Sequence, residues 1–164
     1  MSDNMMTRRS WMATLAKAIG TAAATSALLP LASHASERSA PPRITVYKDP
    51  SCGCCTKWVA HLRAAGLSPD VRDRTDMDSL KDNLGVPAAL RSCHTAVMGR
   101  YLIEGHVPAG DMQRLLAAAP KGIIGIAVPG MPAGSPGMEV PGRTDRYDVI
   151  AFASDGTTKL FAHH

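Results

Sequence analysis

The feature that most constrains this chain is the run Lys48-Asp49-Pro50-Ser51-Cys52-Gly53-Cys54-Cys55-Thr56-Lys57-Trp58, which holds three of the four cysteines within four positions. Ile44-Thr45-Val46-Tyr47, just before it, is β-branched and aromatic and reads as a short strand. From Cys54 to Ala65 there is neither Gly nor Pro, and Gly66 follows, as expected of a helix with its C′ residue. The thiols therefore sit on a turn that leaves a strand and opens a helix. The unpaired N–H groups and macrodipole of a helix N-terminus favour thiolate, the form that binds metal or attacks a disulfide. Cys52 and Cys55 have the CxxC spacing, and Cys54 brings a third sulfur within reach of the same point.

Four cysteines in an exported chain would ordinarily suggest two disulfides. The clustering argues for redox or metal chemistry instead, because adjacent Cys54 and Cys55 bridge each other only with strain and one turn cannot tie distant loops. Export is expected from the N-terminus. Thr7-Arg8-Arg9-Ser10-Trp11-Met12 opens a basic region that reaches Lys17, and Ala18 to Ala32 is uncharged and rich in small residues. Ser33-His34-Ala35 then offers a cleavage site, so residues 1–35 read as a signal peptide of twin-arginine character. Its apolar stretch is too short and too rich in Ala and Thr for a transmembrane helix. The expected mature chain is periplasmic and has no membrane span, with a flexible lead-in at 36–42 and one domain over 43–164. The formal net charge of the whole chain is +4, and half of that excess lies in the leader. The remainder is too balanced to point to nucleic acid or an anionic membrane.

Along that domain, the first strand is Arg43 to Lys48. Helix one follows with Cys55, Val59, Leu62 and Ala65 on one stripe, and His61 off it, expected to face solvent. Leu67 to Arg72 reads as a second strand, and Asp76 to Leu84 as a second helix with Asp76 as N-cap and Gly85 at its end. This alternation predicts a right-handed βαβ unit and a small α/β domain. Thr95 to Met98 and Tyr101 to Glu104 form a hairpin across Gly-Arg. Cys93 and His94 precede its first strand and His106 follows its second, places that share one end of an antiparallel pair. Asp111 to Ala119 is a third helix, capped by Asp111 or Gly110, and Gly122 to Val128 is an apolar strand. Pro129 to Glu139 is an irregular Pro/Gly loop whose Met131 and Met138 belong to no helical or strand period. Tyr147 to Ala153 and Thr158 to Ala162 make a closing hairpin. His163 and His164 are expected to be a frayed tail, and Met77, Met98 and Met112 to be packing residues.

The soft-donor inventory is Cys52, Cys54, Cys55, Cys93, His94, His106, Met131 and Met138. Thiolate, thioether and imidazole together suit Cu(I) better than a hard cation, and zinc would not call for methionine. Singly, each histidine is more often structural than a ligand, and a lone Cys93 would be a small buried hydrophobe. The CxCC turn and the Cys-His dipeptide carry weight because both lie beside strand ends.

Val46-Tyr47-Lys48-x-Pro50-x-Cys52-Gly53-Cys54-Cys55, Ser92-Cys93-His94-Thr95-Ala96, Glu104-Gly105-His106-Val107-Pro108-Ala109, Val128-Pro129-Gly130-Met131-Pro132 and Gly134-Ser135-Pro136-Gly137-Met138-Glu139 resemble the CopG-type periplasmic copper-resistance family, a predicted metal-binding family. The resemblance runs from about Arg43 to Leu160, with no departure at a motif position. It implies a thioredoxin-like domain with copper bound through the cysteines, and a link to Cu(I)/Cu(II) redox handling, that is, a copper oxidoreductase. The partners implied are copper ions and other periplasmic copper-handling proteins or an efflux system. Spacing alone does not separate this from a thiol–disulfide oxidoreductase, since CxxC after the first strand is also the thioredoxin arrangement. Against that class stand the extra Cys54 and the lack of a proline directly before the Thr95 strand. A non-catalytic copper chaperone or buffer would share every ligand.

Overall fold

Ile44, Val46 and Lys48 are buried while Thr45 and Tyr47 between them are only half-covered, so the first strand, β1 (Ile44–Lys48), shows the period-two pattern of a sheet with one packed face. The computed structural model describes residues 42–164; the expected signal peptide and nearly all of the lead-in lie outside the described residues. After β1 come α1 (Gly53–Ala64), β2 (Pro69–Asp73), α2 (Met77–Leu84), a single 3-10 turn at Ala88–Leu90, β3 (His94–Met98) and β4 (Tyr101–Glu104). Then follow α3 (Ala109–Ala118), β5 (Ile123–Ala127), β6 (Asp148–Ala153) and β7 (Thr158–His163).

These strands form one sheet in the order β2-β1-β3-β4-β5-β6-β7. β1 is parallel to β2 and antiparallel to β3, β3 is antiparallel to β4, and β4 is parallel to β5. A βαβ crossover, a hairpin and a following helix make the thioredoxin-like α/β arrangement that the sequence predicts, and the β6–β7 hairpin extends its sheet. The topology has one consequence for chemistry. The carboxyl ends of β1, β4 and β5 and the start of β3 share one edge, the place where open α/β sheets leave a crevice.

One sheet face carries the main core, in which Val46, Met98, Ile103 and Ile126 meet Trp58, Val59 and Leu62 of α1 and Met112 and Leu115 of α3. Trp58 is fully buried, and its indole N–H donates to the Val107 carbonyl at 2.8 Å, which ties α1 to the segment leading into α3. Truncating such a residue to Ala costs about 3–5 kcal/mol. On the other face Val86 and Leu90 cover Leu102, Ala127 and Phe152. Met98 and Met112 are core residues, as expected.

Several boundaries differ from the sequence expectations. β2 starts at Pro69, not Leu67, because a residue without an N–H fits the first position of an edge strand, and Leu67 packs against the core instead. α1 begins at Gly53 with Cys52 in the cap position. Pro108, not Asp111 or Gly110, caps α3; the Asp111 carboxylate is taken by Arg114 at 2.6 Å and His164 at 2.7 Å. His94 is the first residue of β3, not its prelude. His61 is half-buried, and its Nε2 accepts the Ala109 N–H at 3.1 Å, so it is not a solvent-facing residue. The tail is not frayed either. His164 stacks on Tyr147 with ring centroids 5.1 Å apart, and the two residues exchange backbone hydrogen bonds.

Candidate metal centre

At the edge where β1 ends, the chain turns through Asp49 to Ser51, with the Ser51 N–H donating to the Asp49 carboxylate at 2.8 Å and the Cys52 N–H to the Asp49 carbonyl at 3.1 Å. This turn delivers Cys52 to the cap of α1 and Cys54 and Cys55 to its first turn. Cys52 and Cys55 are joined as a disulfide, while Cys54 and Cys93 are free. The bridge closes within the turn and ties no distant loops. Cys54 Sγ lies 3.4 Å from Cys52 Sγ and 3.8 Å from Cys93 Sγ. All four sulfurs fall within 4.8 Å of one another.

Cys93 belongs to a second group as well. Its sulfur is 3.4 Å from Nδ1 of His94 and 3.1 Å from Nε2 of His106, and these three donors also lie within 4.8 Å of one another. The sequence-predicted cysteines and histidines therefore converge on one place, with Cys93 shared between a sulfur group and a mixed sulfur–nitrogen group. His106 Nδ1 is 2.8 Å from the Pro136 carbonyl, which can only accept, so Nδ1 carries the proton. Nε2 is thereby left with its lone pair towards Cys93, the tautomer a metal ligand needs. His94 packs its ring 4.3 Å from that of Trp58 and 4.9 Å from that of His106. Its Nε2 is buried and finds no hydrogen-bond partner among the described residues.

Burial dominates the electrostatics. It pushes the Cys93 thiol up to about 12, with the neighbouring Cys54 adding to the rise. The helix-start argument for easy thiolate formation therefore does not extend to Cys93, which lies on no helix. His94 is held well below its ordinary value, first by burial and then by the neighbouring His106 imidazole and Lys81 ammonium, and burial also lowers His106. Both imidazoles are neutral at pH 7, as metal ligands must be.

The Pro/Gly loop reaches this site through its backbone. The Ser92 hydroxyl donates to the Gly130 carbonyl and His106 to that of Pro136. Gly137 has φ +87°, and a Cβ there would lie 2.8 Å from both the Cys54 carbonyl oxygen and the Trp58 nitrogen. Met131 and Met138 each follow one of these contact points; Met131 is 57 % exposed and Met138 half-buried. Sequence reasoning missed the residues that support the donors: Trp58 against His94, and the buried Lys81 and Glu104 with Thr95. Register offers the signal for the last pair, since Thr95 lies directly opposite Glu104 in the hairpin.

The family model described as "Protein of unknown function, DUF411" matches residues 90–138, which span Cys93, His94, His106, Met131 and Met138. No curated protein matches. Two solved structures of copper resistance protein CopG are similar to the chain. Form 2 is 42% identical, with a TM-score of 0.72, over 76% of this chain and 99% of its own. Form 1 has the same identity and TM-score over 76% of this chain and 98% of its own. At that identity, over nearly the whole length of the solved chains, the protein belongs to the CopG copper-resistance protein family.

Proposed function

We propose that the reduced protein binds Cu(I) through Cys52, Cys54, Cys55 and Cys93, with His94 and His106 at the edge of the cluster and Met131 and Met138 on the adjoining loop. The setting is copper resistance in the periplasm, after removal of the leader near Ala35. The observation that carries this reading is the convergence of four sulfurs and two neutral imidazoles at one end of the sheet. A donor set of this softness favours Cu(I) over hard cations. Two further facts support it: the similar solved proteins bear the name copper resistance protein, and among the described residues no helix is long and apolar enough to cross a membrane. Before four thiols are available, the Cys52–Cys55 disulfide must take up two electrons and two protons. Interconversion of bound Cu(I) and Cu(II) is then a one-electron step that needs an external redox partner. Thiolates hold the reduced ion, and the imidazoles give the oxidised ion the nitrogen donors it prefers.

Copper titration of the anaerobically reduced mature chain, with bound metal counted, is the test. Wild type should retain Cu(I), and Cys54→Ser and Cys93→Ser should each retain less; wild-type retention by both would overturn the reading. The Cys52–Cys55 disulfide favours a second reading, thiol–disulfide exchange. Under that reading the same two mutants would reduce insulin as well as wild type does.

A further inference from the structure

Behind the cysteine cluster lies an ion pair that copper binding does not itself use. Glu104 ends β4 fully buried, and Lys81 reaches it from α2 with 2% exposure. Stability gives little reason to keep such a pair, since well-packed apolar residues of similar volume are often as good or better. Both carboxylate oxygens are engaged. Oε1 accepts the Ser92 N–H at 2.7 Å and also Lys81 Nζ. Oε2 accepts the Thr95 hydroxyl at 2.6 Å, and that hydroxyl oxygen accepts Lys81 Nζ at 3.0 Å. Ser92 and Thr95 flank Cys93-His94, so one side chain grips the donor dipeptide from both sides. The next residue continues the grip through the backbone. The Gly105 N–H donates to the His94 carbonyl at 2.9 Å, and a Cβ on Gly105 would lie 2.7 Å from Ser92 Cβ. His106 follows at once.

The geometry points to Glu104, held by Lys81, as a positioning residue that sets Cys93 and His94 against His106 and the CxCC turn. It touches no donor atom. Its consequence for copper rests on the copper-binding reading, whereas its effect on the place and exposure of Cys93 does not.

Two variants separate this role from simple filling of the sheet face. The double change Lys81→Met with Glu104→Leu keeps the buried volume and removes both grips. Thr95→Val is nearly isosteric, removes one grip and leaves the ion pair intact. For each, thermal melting and Cu(I) affinity by competition titration are measured. The alkylation rate of Cys93 is measured separately, in copper-free protein that carries Cys52→Ser, Cys54→Ser and Cys55→Ser. The double variant should melt near wild type, lose about 10- to 100-fold in Cu(I) affinity, as is usual when groups supporting metal ligands are removed, and alkylate faster at Cys93. Thr95→Val should move both readouts in the same direction by less. A folded double variant with wild-type affinity and a wild-type Cys93 rate overturns the assignment. If the double variant does not fold, an unchanged Cys93 rate in Thr95→Val overturns it. Should wild type itself bind no Cu(I), the copper reading fails and the Cys93 rates still decide the positioning role.

Discussion

Cys93 is the residue on which both donor groups converge, and its protonation links metal binding to pH. With its thiol pushed up to about 12 by burial and by Cys54, it holds a proton at neutral pH until a metal takes the sulfur. Binding then releases that proton, so affinity rises with pH, by a factor of about ten per unit for each proton displaced. Cu(I) competition titrations between pH 6.5 and 7.5 should therefore steepen with pH. Cys93→Ser should reduce that slope by about one displaced proton, and an unchanged slope would show that Cys93 does not bind as thiolate. His106 makes a different contribution. Its Nε2 faces the cluster edge at 3.1 Å from Cys93 Sγ, a nitrogen donor suited to the oxidised ion. His106→Ala should leave Cu(I) affinity within about tenfold, or 1.4 kcal/mol, and slow oxidation of the bound metal in stopped-flow. An oxidation rate equal to wild type would make His106 structural. These donors were legible in the sequence because cysteines clustered beside strand ends have few structural explanations. Glu104 was not, because an acid at the end of a short strand ordinarily points to solvent, and its burial rests on Lys81 from α2 together with the Ser92 N–H and the Thr95 hydroxyl.

At the scale of elements, the strand-turn-helix around the CxCC run and the β3–β4 hairpin follow directly from β-branched runs and glycine punctuation, and the structure agrees with both. Caps and edges were harder to read. Pro108 occupies the cap position of α3, and Asp111 lies inside the first turn with its carboxylate on Arg114 and His164, tertiary partners that local preferences do not contain. The Pro/Gly loop was legible as irregular backbone, but not as a structure seated on α1. That seating depends on Gly137, whose φ of +87° and 2.8 Å approach to two backbone atoms leave no room for a side chain. Neither neighbour is a flexible side-chain end, so Gly137→Ala should cost about 1–3 kcal/mol in strain and lift the loop from the start of α1. A lower melting temperature together with an altered oxidation rate of Cu(I)-loaded protein is expected, and a wild-type melt would contradict the seating. Met131→Leu and Met138→Leu keep the backbone and the apolar volume. They should leave the melt unchanged and alter only how readily the metal oxidises; unchanged oxidation in both would remove the thioethers from the site.

Over the whole molecule, the α/β class and the single site at one sheet edge follow from the alternation of elements, while the depth of burial at that site does not. Sequence predicts histidines near the cysteines, but not that Trp58 of α1 packs on His94 or that the loop backbone meets His106. That burial sets how stability varies with pH. His94 is held well below its ordinary value of 6.5 by burial first, and burial also lowers His106 and the half-buried His61. In the unfolded chain all three would take protons near 6.5. Below that pH the unfolded state binds more protons than the folded one, so stability is fully present above about 6.5 and is lost as pH falls. His94 alone contributes up to about 1.4 kcal/mol per pH unit in that window. Glu104 acts with the opposite sign. Burial raises its carboxyl, so folding gains as it protonates, but only one carboxyl opposes three histidines, and its ordinary value of 4.5 lies lower. Copper-free protein should thus show a denaturation midpoint that declines steadily from pH 7.5 to 5.5. His94→Gln, which cannot take up the proton, should flatten that decline. A midpoint constant across the range in wild type would mean that the imidazoles take up protons as readily in the fold as in the unfolded chain, and that burial does not hold them neutral.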